Sequence, residues 1–233
     1  MLIQPLKWDS SFFRRKIGKI SSAEALKNIT PEDLKPFDLL YIELSDKRKL
    51  YKTSCSWLNI EYTDKKIIYQ KPLKGKLKLH ENISTYPLKS ANRQLQELAL
   101  QSSTFSRFRL DKNFDEDAYR KLYLQWIRNS VKQKMADLVL IYGDVKDPAG
   151  FVTLSYKDSM AQIGLIAVDG SQQHQGIGKA LMHAAEYFAL KNKFTILQVI
   201  TQAENKSACA FYENVGYKKV SLYYTFHHWN KKC

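Results

Sequence analysis

The sequence predicts an α/β fold: a mixed sheet carrying helices, preceded by a small N-terminal α/β domain. Three observations carry that expectation. Strand and helix patterns alternate along the 233 residues, and the second half runs two helices, three strands, helix, strand, helix, strand. Seven of the nine glycines lie at or after Gly143, so tight turns concentrate there. Between the halves, "QKPLKGKLKLHENISTYPLKS" (Gln70–Ser90) turns polar, lysine-rich and proline-punctuated, as a boundary does. Residues 1–80 are therefore expected to form the small domain and 90–233 the larger one.

In the N-terminal part, "DLLYIELSD" (Asp38–Asp46) and "IEYTDKKIIYQ" (Ile60–Gln70) are rich in branched and aromatic residues and read as strands. "TPEDLKPF" places Thr30 as a helix cap, Pro31 in the first turn and acids behind it. "RKLYKTSCSWLNI" between the strands reads as a helix. After the boundary, "SANRQLQELALQSS" and "DEDAYRKLYLQWIRNSVKQ" are helical, and Tyr119, Leu122, Tyr123, Trp126 and Ile127 share one face of the second. Then "ADLVLIYGD", "GFVTLSYKD" and "MAQIGLIAVD" are three successive strands, expected as an antiparallel meander. A glycine turn and an amphipathic helix follow. The chain continues with strand "FTILQVITQ", helix "NKSACAFYENVG" and strand "YKKVSLYYTFHHW".

A hydrophobic share of 44% with 12% aromatics belongs to a folded chain rather than a disordered one. No apolar run approaches the roughly 18–20 residues of a membrane helix, and "MLIQPLKWDSSFF" lacks the regions of a secretory signal. Cys55, Cys209 and Cys233 have no metal-like spacing, so neither zinc nor a disulfide framework is expected, and the location is expected to be cytoplasmic. The net charge of +14 asks for phosphate-bearing partners or a basic solvated surface. The lysines are dispersed ("DKRKLYK", "KPLKGKLK", "HHWNKKC") and form no long block, which speaks against nucleic acid. Oligomeric state, a homodimer included, stays open.

The glycine turn, "AVDGSQQHQGIGKALMHAAEYF" (Ala167–Phe188), carries the chemistry. A P-loop would need glycine at position 173 and a hydroxyl after Lys179, where Gln173 and Ala180 stand. A dinucleotide fingerprint would need glycine where Leu181 stands. Both fail. The pattern that fits is Gln173-x-x-Gly176-x-Gly178, which resembles the Q/R-x-x-G-x-G/A turn of the GCN5-related N-acetyltransferase (GNAT) superfamily. The physical logic is that unpaired N–H groups at a helix start attract a diphosphate, which reaches them only where no side chain intervenes. A second stretch, "NKSACAFYENVGYKKV", resembles that superfamily's N-x-x-A-x-x-F-Y-x-x-x-G-F/Y signature through Asn205, Ala208, Phe211, Tyr212, Gly216 and Tyr217.

The resemblance implies a GNAT fold, acetyl-CoA as co-substrate, no metal, and direct attack of an amine on the thioester. It implies coenzyme contacts from Ile166, Ala167 and Val168, from Gln173, His174, Gln175, Gly176, Ile177, Gly178 and Lys179, and from Asn205, Ala208 and Phe211. Within these sets a backbone N–H near Ile166–Val168 meets the oxyanion, and Asn205 meets the pantetheine arm. It makes Tyr212 the general acid for the leaving thiolate. An acetyl-cysteine on Cys209 is disfavoured, since no base accompanies it. Many relatives carry a glutamate where this chain reads Ile163-Gly164, so no base is assigned. His183, on the helix after the turn, reads as a surface or packing residue.

For the acceptor, "LKWDSSFFRRKIGKI", "SSTFSRFRLDKNF" and "YLQWIRNSV" are similar to TDP-fucosamine acetyltransferases, a family acting on a nucleotide-linked amino sugar. That implies a phosphate-bearing acceptor, with Arg107, Arg109 and Arg128 as candidate contacts; a structural network with Asp111 or Asp115 is the alternative for the first two. Other amines (a peptide N-terminus, lysine, polyamine or antibiotic) and a non-catalytic acyl-CoA-binding role stay open. Polyamines are disfavoured, because no acidic cluster is present.

Overall fold

The computed structural model describes residues 2–51 and 57–230. In chain order the elements are β1 (Gln4–Pro5), α1 (Lys7–Phe13), β2 (Ile17–Ile20), α2 (Ala23–Asn28), α3 (Pro31–Leu34), β3 (Leu39–Leu44), α4 (Arg48–Tyr51) and β4 (Ile60–Pro72). They continue with β5 (Ile83–Thr85), α5 (Arg93–Gln101), α6 (Arg107–Leu110), α7 (Ala118–Val131), β6 (Leu138–Gly143), β7 (Pro148–Lys157) and β8 (Met160–Val168). A 3₁₀ turn at Gly170–Gln172 leads into α8 (Ile177–Lys191), then β9 (Ile196–Gln202), α9 (Lys206–Asn214) and β10 (Lys218–Trp229). The fold is mixed α/β, as the sequence predicts. Only the start of the helix expected at Arg48–Ile60 is seen, as α4; residues 52–56 of that stretch, with Cys55, lie outside the described residues, as does Cys233.

The chain forms two compact units that do not follow chain order. The first comprises Met1–Ile67, Gln202–Glu204 and Ser221–Cys233; the second comprises Ile68–Thr201 and Asn205–Val220. Strands β4 and β10 therefore contribute residues to both.

In the first unit β1 pairs antiparallel with β2, β2 parallel with β3, and β3 antiparallel with β10. The parallel step needs a crossover, which α2 and α3 supply. Both are capped by their sequence. Ser22 Oγ accepts from the Ala25 N–H at 3.0 Å, and the Thr30 N–H donates to Asp33 Oδ2 at 2.8 Å. Leu26, Ile29 and Leu34 pack on Leu40, Ile42, Leu44 and Phe226. Gly18 permits this closeness, since a Cβ there would stand 2.7 Å from side-chain atoms of Ile3, Phe37 and Leu40.

His228, on β10, is buried at 2% exposure. Its Nδ1 accepts from the Asn59 N–H at 2.8 Å, which fixes the neutral tautomer with the proton on Nε2, 3.2 Å from Asn230 Oδ1. Asn230 in turn donates to the Leu34 and Phe37 carbonyls at 2.8 and 2.7 Å. Burial lowers the His228 pKa below its ordinary value, against smaller opposing contributions from Asn230, Asn59 and Glu61. The unfolded chain therefore binds a proton first as pH falls, so stability is full above the ordinary histidine value of about 6.5 and declines below it. Thermal melts between pH 7.5 and 5 should show that decline, and His228→Gln should flatten it. An equal decline in both proteins would contradict this role.

In the second unit β5, β6, β7 and β8 form the antiparallel succession expected of the meander, with β5 added at its edge. The polar stretch Gln70–Ser90 thus contains the end of β4 and the strand β5. At three residues, β5 is the short edge strand that discourages further pairing. Helix α8 packs on β6 and β7, and α5 on β7, β8 and α7. The expected face of α7 is buried at Leu122, Tyr123 and Ile127 and half-buried at Tyr119 and Trp126.

Candidate active site

The site begins with a defect in β8. The register runs Val152↔Ile166 on one side and Leu154↔Ile163 on the other, so Thr153 faces both Gly164 and Leu165. This is a β-bulge. Thr153 Oγ1 accepts from the Leu165 N–H at 2.8 Å, and a Cβ on Gly164 would stand 2.9 Å from that oxygen. Glycine fits the bulge, and a carboxylate side chain at position 164 would displace the threonine. The bulge has a consequence on the other edge. Parallel pairing of β8 with β9 covers only Ala161–Ile163 against Leu197–Val199. Past the bulge, Ile166, Ala167 and Val168 keep their β7 partners but pair with no strand on the β9 side among the described residues. Alternate backbone N–H and C=O groups of that stretch are open to a ligand.

The turn continues the opening. Asp169 anchors it: its Oδ1 accepts from the Ser171 N–H at 2.9 Å, its Oδ2 from Gln94 Nε2 at 3.0 Å, and its N–H donates to Ala149 O at 2.8 Å. The Ser171 hydroxyl, which donates to Oδ1 at 2.6 Å, together with the Ser171 N–H and Gln94, holds the Asp169 carboxyl below the ordinary value. Gly176 has φ +82°, with open space where a Cβ would be, and His174 holds a left-handed φ of +64°. Gly176 is glycine for its backbone angle. Gly178 is glycine for its neighbour: a Cβ there would come 3.2 Å from Phe211 Cζ. Among the described residues the N–H groups of Gly176, Ile177, Gly178 and Lys179 donate to no backbone carbonyl, as the first turn of a helix requires. Gln173 points its amide back toward Val168 O, at 3.4 Å.

Helix α9 supplies the second half. Asn205 is its N-cap, with Oδ1 accepting from the Ala208 N–H at 3.1 Å. Phe211 is half-buried and meets Gly178, so the turn of α8 and the side chains of α9 share one place. Tyr212 is buried, and among the described residues no hydrogen bond engages its hydroxyl. Burial, with Cys209 adding to it, pushes its phenol well above the ordinary tyrosine range. The group stays protonated at neutral pH and has a proton to give.

The structure thus brings Gly178 of the turn to Phe211 of α9 and to Val168 of the β8 edge, and Asn205 and Tyr212 lie on that same α9 segment. The three arginines lie on other elements. Arg107 stands over the Phe108 ring at 4.7 Å and Arg109 over Tyr119 at 5.0 Å, while Arg128 donates to Gln96 at 3.2 Å. His183 is exposed on α8. Sequence reasoning missed a buried network that fastens α9. Lys71 Nζ donates to Glu186 Oε1 at 2.8 Å and to Val215 O at 3.0 Å, and Tyr217 donates to Glu186 Oε1 at 3.2 Å. One signal was present in the chain: an acid, Glu186, on the apolar side of α8 beside Ala184 and Ala185.

No helix among the described residues is long and apolar enough to cross a membrane, and no cluster of three metal-ligating side chains occurs among them. A solved structure of a functionally unknown protein from Staphylococcus epidermidis matches with a TM-score of 0.58 at 17% identity, covering 92% of this chain and 84% of that one. A GCN5-related N-acetyltransferase from Kribbella flavida matches at 0.55 with 12% identity, covering 93% and 82%. At such identities the likeness is one of fold. In sequence, the chain is 28% identical over 120 residues to an uncharacterized N-acetyltransferase of Methanocaldococcus jannaschii, an alignment spanning 48% of this chain and 53% of that relative's length. The acetyltransferase (GNAT) family model matches residues 95–217, more than half the chain, from within α5 through the turn to Tyr217. The chain belongs to the acetyltransferase (GNAT) family.

Proposed function

We propose that the protein is an N-acetyltransferase that takes its acetyl group from acetyl-CoA. The observation that carries this reading is the convergence of Gly178 and Phe211, which sets an N–H-lined helix start against α9, the helix that carries Tyr212. The turn Gln173–Lys179 holds the diphosphate, the open edge of β8 at Ile166–Val168 and the side chain of Asn205 hold the pantetheine arm, and Ala208 and Phe211 pack beside it. Acetyl-CoA brings the activated carbonyl. An unprotonated amine attacks that carbon, and a β8 N–H stabilises the oxygen as it gains charge. The carbon–sulfur bond then breaks, the Tyr212 proton goes to the thiolate, and the proton shed by the new amide nitrogen passes to water, from which Tyr212 is reprotonated. Attack is direct, without a Cys209 intermediate.

A ligand bound only by the folded state raises the melting temperature by mass action. Acetyl-CoA titration should therefore raise it, and Gly176→Val should remove the rise. No shift at millimolar acetyl-CoA would sink the reading.

For the acceptor we propose an amino sugar linked to a nucleoside diphosphate, handled in the cytoplasm. Support comes from the segments around Trp8, Arg107 and Arg128, and from the net charge of +14. Arg107 and Arg109 on α6 and Arg128 on α7 are the proposed phosphate contacts. A panel of TDP- and UDP-linked amino sugars, read by free-thiol release, should show turnover that falls with added salt. Efficient acetylation of free peptides or polyamines, with every nucleotide sugar ignored, would overturn this choice of acceptor.

A further inference from the structure

The end of β4 presents Tyr69 and Lys71 two residues apart, hence on one face of the strand, while Gln70 between them bonds Gln198 of β9 at 2.8 Å. Tyr69 is 1% exposed. Its hydroxyl donates to Glu213 Oε1 at 2.8 Å, and Glu213 is the exposed residue that follows Tyr212 on α9. The Tyr69 ring lies 5.8 Å from the Tyr212 ring, inclined at 47°. A second phenol, Tyr217, lies 6.3 Å from Tyr212 and is held through Glu186 by Lys71. Besides Phe211, whose ring lies 5.5 Å away, the two phenols next to Tyr212 are therefore each pinned at the far end by a carboxylate. Phenylalanine at position 69 would fill the same volume. What the hydroxyl adds is a fixed direction for the ring and a tie to the residue adjoining Tyr212. The net stability of such a bond is small, whereas misplacing a reacting group by about 1 Å can cost about 10²-fold in rate.

We propose that Tyr69 is a positioning residue for acetyl transfer: anchored on Glu213, it fixes the ring against Tyr212 and so aims the Tyr212 hydroxyl at the leaving sulfur. The role rests on Tyr212 being the general acid. No bond is made or broken at Tyr69 itself.

The test is a double-mutant cycle of Tyr69→Phe with Tyr212→Phe. The readout is free-thiol release from acetyl-CoA, with the amine the panel identifies and with water as the slow acceptor. In the wild-type background Tyr69→Phe should lower kcat roughly 10-fold to 100-fold with the KM for acetyl-CoA within about twofold. In the Tyr212→Phe background it should change nothing further, because the group it aims is gone. Glu213→Ala should copy Tyr69→Phe, and Glu213→Gln, whose amide oxygen still accepts, should restore most of the rate. Glu213 is exposed, so these two variants separate positioning from a folding defect. An equal loss in both backgrounds, a rise in KM in place of a fall in kcat, or an unchanged kcat would each overturn the proposal. If Tyr212→Phe alone keeps full activity, the acid assignment fails and the positioning role falls with it.

Discussion

Tyr212→Phe is expected to lower kcat by roughly 10²–10⁴, the usual worth of a general acid, with little change in acetyl-CoA affinity. Phenylalanine keeps the ring between its aromatic neighbours and removes only a hydroxyl that no described residue engages. The fold should therefore survive, and the melting temperature measured on the same preparation should move little. Cys209→Ala is the companion variant. Direct attack predicts nearly full activity for it, whereas a covalent route predicts none. If Tyr212→Phe were as active as wild type, the thiolate's proton would come from elsewhere.

The second large effect concerns Lys71. Its ammonium is the partner of Glu186, whose side chain is 3% exposed, so Lys71→Met leaves a carboxylate buried beside Tyr217 with its countercharge gone. Removing one member of a buried pair costs about 3–5 kcal/mol, because the remaining charge stays desolvated. For a chain of this size that is a fall in melting temperature of roughly 6–20 °C. Lys71→Met combined with Glu186→Gln should recover most of it, since the uncompensated charge is removed as well. A melting temperature unchanged in Lys71→Met would contradict this role for the Lys71–Glu186 pair.

The two predictions differ in how visible their residues are in the sequence. The turn and α9 are legible because their constraints are local. Gly176 needs a positive φ, and Asn205 caps the helix three residues before Ala208, so each leaves a mark within one turn. Thr30 with Asp33 is read for the same reason. The fastening of α9 is not legible. Lys71 reaches Glu186 across 115 positions, and Tyr69 reaches Glu213 across 144. No periodicity links such pairs, and Tyr69 and Lys71 lie in or beside a lysine-rich stretch that reads as solvated. The bulge at Gly164 is half legible. The missing glutamate is plain in Ile163-Gly164, but the hydroxyl of Thr153 that occupies its place comes from the neighbouring strand. Helix α1 escapes pattern reading because it buries no residue; Trp8 stacks on Phe12 at 5.1 Å while remaining 47% exposed.

The central claim is that coenzyme A is held by the backbone at the start of α8. Amide NMR on uniformly ¹⁵N-labelled protein during a coenzyme A titration tests it most directly. The account predicts saturable shifts that are largest at the N–H groups of Gly176, Ile177, Gly178 and Lys179, and their loss in Gly176→Val. Saturating coenzyme A that leaves these four amides unmoved, while shifting others, would contradict it.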